Sequence, residues 1–105
     1  MRIEQLHTLG RQEAIGRVDR FLDRLIQEPP GGVTIKDPRK DWDGNRMTFS
    51  FAVARGFFGT SFRGSMDVTD DRIVVEFDLP SLVKGLLGEE RIRQIISDHL
   101  GAVLK

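Results

Sequence analysis

The chain has 105 residues, with 16 basic and 16 acidic side chains, a formal net charge of zero and no cysteine. That excludes disulfide frameworks, thiolate nucleophiles and thiolate-held zinc. It also argues against a dedicated nucleic-acid binder, which draws most of its affinity from a basic excess.

Apolar residues make up 39% and charged residues 30%, a balance that folds rather than stays disordered. The length suits a single domain over residues 1–105. Met1 to Gly10 is too polar for a signal peptide, and no apolar run approaches the roughly 18 residues that span a bilayer. The expected location is the cytoplasm.

Arg2 to Thr8 contains Ile3 and Leu6 and reads as a first strand. Gly10 to Gln27 is the clearest helix. Ala14, Ile15, Val18, Phe21, Leu22, Leu25 and Ile26 form one apolar stripe, with charged residues opposite. Either Thr8 or Gly10 serves as N-cap, and Glu13 stands four residues before Arg17, the favourable order for a helical ion pair. Pro29 to Gly32 stops the helix.

Val33 to Lys36 reads as a short strand, followed by a polar connection with a turn signal at Asp43-Gly44. From Arg46 to Ala54, Met47, Phe49, Phe51 and Val53 alternate with small residues. Phe57 to Val68 continues the pattern through Phe58, Phe62, Met66 and Val68. Arg72 to Leu79 follows, with Ile73, Val75, Phe77 and Leu79 on the inner side. One polar face per strand implies an antiparallel sheet covered on one side. After Pro80, Leu82, Val83, Leu86 and Leu87 mark a helical turn or hinge, and Glu89 to Leu104 forms a second helix striped by Ile92, Ile95, Ile96, Leu100, Val103 and Leu104. The expected class is therefore α+β: a two-layer domain with an antiparallel sheet of four to five strands and two amphipathic helices on one face.

No catalytic constellation emerges, and the chain reads as non-enzymatic, without cofactor or metal. Ser97, Asp98 and His99 are consecutive on a helix, where neighbours point apart and cannot form a triad. Asp41, Asp43 and Gly44 fail the calcium-loop pattern, because Arg39 and Ser50 would stand at its first and last ligand positions. Arg55 to Phe62 partly matches the stacking strand of an RNA-recognition motif, but another strand follows where that fold needs a helix.

The residues singled out for contact with a hydrophobic partner are Phe57, Leu82, Val83, Leu86 and Leu87. A cavity between sheet and helices, lined by Phe49, Phe51, Phe62 and Phe77, would instead make the chain a carrier of a small apolar ligand. The outer sheet face carries Thr48, Ser50, Ala52, Ala54, Gly59, Ser61 and Ser65, small enough to pack against another subunit in a homodimer.

Several landmarks stand in a telling order. His7-Thr8-Leu9 precedes the helix that opens Arg11-Gln12-Glu13-Ala14, and Trp42-Asp43-Gly44 precedes the strand around Phe49. Gly64 to Arg72 reads Gly-Ser-Met-Asp-Val-Thr-Asp-Asp-Arg, then come Asp78-Leu79-Pro80 and the helix with Ile92, Ile96 and Leu100. Over most of its length the chain resembles the polyhydroxyalkanoic acid system protein family, the polyhydroxyalkanoate granule-region proteins. It departs from the family pattern at Gly10, where a Ser-type cap is typical, and in the long connection from Pro29 to Asp41. The resemblance implies a cytoplasmic bacterial protein encoded near polyester storage genes. It also implies association with storage granules or their regulators, and it brings no catalytic residues.

Overall fold

Among the described residues five strands form one sheet, and the apolar stripes of two helices bury against one face of it. The computed structural model describes residues 1–29, 33–56, 58–78 and 88–105. In chain order the elements are β1 (Arg2–Leu6), α1 (Arg11–Gln27), β2 (Thr34–Asp43), β3 (Arg46–Arg55), β4 (Phe58–Val68), β5 (Arg72–Phe77) and α2 (Glu89–Val103). The sheet order is β1-β5-β4-β3-β2, with every neighbouring pair antiparallel. This is the α+β arrangement expected, with five strands.

The core is organised by one row of directly opposed residues: Trp42, Met47, Met66, Val75 and Ile3, one from each strand. Met47 is fully buried, and Ile3, Met66 and Val75 are nearly so. Val68, Ile73 and Phe77 of the sheet join them, and Ala14 and Val18 of α1, with Ile92, Leu100 and Leu104 at and after α2, complete the buried cluster. Ile95, assigned to the apolar stripe from the sequence, is 44% exposed. At roughly 100° per helical residue it falls to one side of the stripe centred on Ile96 and Leu100.

One other expectation changes, and one lies beyond reach. The segment Asp37 to Asp43, read as a polar connection, is instead part of β2. A bulge sets Asp37 and Pro38 between the paired residues Lys36 and Arg39, with Asp37 at φ 50°. The bulge breaks the alternation that reveals strands in sequence, and proline is tolerated because β2 is an edge strand. The apolar contact residues Phe57, Leu82, Val83, Leu86 and Leu87 lie outside the described residues.

At the opposite edge, α2 covers β1: the Arg93 guanidinium donates to the Arg2 carbonyl at 2.6 Å. The α1 N-terminus has Gly10 as its cap residue, with no side-chain bond of its own. The Asp70 carboxylate, from the β4–β5 turn, accepts instead from the Arg11 amide at 3.1 Å. A remote acid thus does what a local Ser or Asp does at most helix starts.

Strand lengths are unequal, and this shapes the molecule. β3 and β4 pair along ten positions, but β5 pairs with β4 only from Gly64 to Val68. Beyond Gly64, the sheet among the described residues narrows from five strands to the three-stranded arm β2-β3-β4. Gly64 sits at the base of this arm. A Cβ there would press on the Glu76 carbonyl oxygen and lie 2.7 Å from both the Phe49 ring and the Phe77 Cβ. Gly64→Ala is expected to lower the unfolding free energy by about 1–3 kcal/mol. Urea denaturation measures this, and an unchanged midpoint would mean that the Phe49 ring is not seated over Gly64.

Candidate functional site

Past Gly64 the inner face of the arm carries aromatic and branched side chains. Phe51 stands directly opposite Phe62, and Val53 opposite both Ile35 and Thr60. The Phe51 and Phe62 rings stack with centroids 5.3 Å apart and planes 22° from parallel. Phe49 and Phe51 stack at 6.2 Å and 25°. Phe51, Phe62, Val53 and Ile35 are all half-buried, unlike the residues of the central row. Of the four phenylalanines assigned to a ligand cavity, Phe49, Phe51 and Phe62 thus form a stacked ladder, while Phe77 belongs to the buried core. Cross-strand aromatic pairs of this kind stiffen a hairpin and present apolar area at little entropic cost.

The ladder is held in place beside a polar clamp. Lys40, opposite Phe49 on β2, lies 2.5 Å from Asp19 and 2.7 Å from Asp23 of α1. The Trp42 indole donates to the same Asp19 oxygen at 2.9 Å. The Lys40 and Trp42 hydrogen bonds hold the Asp19 carboxyl below its usual range, outweighing burial. Burial pulls the Lys40 ammonium down, but its bonds to Asp19 and Asp23 outweigh that, leaving it raised. These opposite shifts are those of a formed ion pair. The clamp joins α1 to the edge strand at the point where the core gives way to the arm.

Both histidines are engaged structurally. His7 is 7% exposed. Its Nε2 lies 3.0 Å from the Thr69 carbonyl and its Nδ1 accepts from the Leu9 amide at 3.2 Å. That pairing requires the proton on Nε2. His99 Nδ1 lies 2.8 Å from the Ile95 carbonyl one turn back, and its ring tilts against Phe21 at 6.4 Å. Neither imidazole has a carboxylate partner among the described residues. Those residues hold no group of three His, Asp or Glu side chains placed to bind a metal ion.

The small residues expected on the outer face do share one side. Thr48 pairs with Ser65, Ala52 with Ser61 and Ala54 with Gly59. That face is less uniform than expected. Arg63 stands opposite Ser50, which in turn stands opposite Arg39. Arg39 is hidden in the sequence because the bulge at Asp37 and Pro38 obscures which β2 residues face outward, whereas Arg63 lies in phase with Ser61 and Ser65 and is legible from alternation alone.

Residues 1–104 match the family model described as "Putative polyhydroxyalkanoic acid system protein". The chain belongs to this family. No curated protein and no solved structure matches it. The landmarks that carry the polyhydroxyalkanoic acid system resemblance now have physical roles. His7 pins the end of β1 to the β4–β5 turn, Trp42 closes the clamp, and Gly64 makes room for Phe49. No helix among the described residues is long and apolar enough to cross a membrane.

Trp42 is the only tryptophan, so its emission reports on the clamp directly. Because the Asp19 carboxyl is depressed on folding, its contribution is present above its ordinary value of 3.8 and is lost as pH falls through the lower folded value. Lys40 is raised, so its contribution persists up to 10.5 and is lost only as pH rises beyond that, through the folded value. Asp19→Asn should cost about 0.5–1 kcal/mol at neutral pH, a deficit that shrinks in acid. Denaturation followed by Trp42 fluorescence at both pH values tests this. A deficit independent of pH would mean that the carboxylate charge is not what matters.

Proposed function

We propose that this member of the polyhydroxyalkanoic acid system family is a non-enzymatic accessory protein that contacts the storage polyester through the aromatic inner face of its arm. The observation that carries this reading is the stacked, half-buried pair Phe51–Phe62, on the part of the sheet that lies beyond the buried core. An aliphatic polyester surface offers methylene and ester groups but no net charge along its chain. Apolar side chains held rigidly on a sheet suit such a surface, because little side-chain freedom remains to be lost on contact. Fully burying one phenylalanine stabilises a contact by roughly 1.5–3 kcal/mol, so two rings account for useful affinity before association costs.

Phe57, Leu82, Val83, Leu86 and Leu87 belong to the same proposal on the strength of their sequence. The engaged state of both histidines supports a binding role over general-base chemistry. A cytoplasmic site of action follows from the reading, since the stored polymer would have to be within reach. The second reading, a carrier of a small apolar ligand, uses the same ladder of Phe49, Phe51 and Phe62.

The test is co-sedimentation with protein-free polyhydroxyalkanoate particles at low and high salt. Binding that survives high salt is expected, because screening weakens charge contacts and spares apolar ones. Phe62→Ala and Leu86→Asp should each reduce the bound fraction about tenfold while circular dichroism stays native. Loss of binding at high salt, or full binding by both folded variants, would contradict the apolar contact. Saturable uptake of a soluble fatty acid with no particle binding would favour the carrier.

A further inference from the structure

The base of the arm carries a second feature, on the opposite face of the sheet. β5 ends at Phe77, and an open groove lies there, lined by Arg39, Ser50 and Arg63 with Asp41, Glu76 and Asp78 around them. Arg39, Ser50 and Arg63 occupy one cross-strand row on β2, β3 and β4. Neighbouring strands lie about 4.8 Å apart, so the two arginines are roughly 10 Å apart at the backbone, with the serine hydroxyl between. Both guanidinium groups can reach a single planar anion above Ser50 from that spacing.

The other arginines of this face are already occupied: Arg2 pairs with Glu76, Arg46 with Asp67, and Arg72 with Glu4 and Asp71. The side chains of Arg39 and Arg63 form no hydrogen bond or ion pair with any described residue. Their forks remain open for bidentate recognition of a carboxylate. The surrounding carboxylates narrow the choice. Asp41 and Asp78 disfavour a doubly charged phosphate through like-charge repulsion, and they offer acceptors to a ligand that also carries a hydroxyl donor.

We infer that this row binds a soluble hydroxyalkanoate, its carboxylate between Arg39 and Arg63 over Ser50 and its hydroxyl directed to Asp41 or Asp78. This deepens the proposed function and rests on the family's link to polyhydroxyalkanoic acid. The monomer would be sensed on one face of the sheet and the polymer contacted on the other.

The test is an NMR titration of the full chain with 3-hydroxybutyrate, butyrate and inorganic phosphate, read at the Ser50 amide and the Arg39 and Arg63 side-chain signals. Saturable shifts with 3-hydroxybutyrate are expected, with butyrate and phosphate each weaker by about tenfold. Arg39→Ala and Arg63→Ala should each weaken 3-hydroxybutyrate about tenfold, and Arg46→Ala should leave it unchanged. Absence of saturable shifts, equal binding of butyrate or phosphate, or indifference to both arginine variants would overturn the assignment. Arg63→Ala is also taken through the particle assay. Retained particle binding alongside a failed titration would leave the granule reading intact and remove only this site.

Discussion

Everything in this fold depends on one row of five directly opposed side chains: Trp42, Met47, Met66, Val75 and Ile3. Side chains alternate along a strand, so a slip of one residue in any pairing would turn that strand's apolar set to the wrong face. Burial of Met47, Met66, Val75 and Ile3 against both helices therefore holds the register of the whole sheet. Every other placement follows from it, because inner residues on one row decide which residues two positions away are inner too. The aromatic ladder and the arginine row are both consequences of that register, on opposite faces.

The second determinant is the mismatch in strand length. Among the described residues, β5 stops where β3 and β4 continue, so a sheet that is five strands wide at the core is three strands wide in the arm. On the proposed reading, stability and contact are thereby separated. The core half holds the buried residues, and the arm holds aromatic rings that are ordered by stacking and still reachable. The clamp of Lys40 and Trp42 with Asp19 and Asp23 ties α1 to the edge strand at the boundary. The bulge just beyond it, with Pro38 and an Asp37 in left-handed conformation, blunts the outer edge of β2 against pairing with further strands.

The legible parts of the sequence were those with uninterrupted periodicity. The stripe of Ala14, Val18 and Leu22 and the alternation of Met47, Phe49 and Phe51 mark α1 and β3 because each repeat runs for several turns or residue pairs without a break. β2 was half hidden, since the bulge shifts the phase and a charged edge strand has little apolar signal to shift. The functional features were harder to read for a different reason. That Phe51 faces Phe62, or that Arg39 and Arg63 flank Ser50, is a fact of register between strands, and a single sequence carries no direct record of register. The caps show the same limit: Gly10 offered no side chain to read, and the residue that serves the helix start, Asp70, lies 59 positions away.

The central claim is that the arm touches the polymer while the core stays apart from it. Amide hydrogen exchange with and without polyhydroxyalkanoate particles tests this most directly, because it resolves the two halves of the same strands. The account predicts added protection around Phe51 to Val53 of β3 and Thr60 to Phe62 of β4, with β1 and β5 unchanged. Protection confined to β1 and α2, or spread evenly over the sheet, would contradict it.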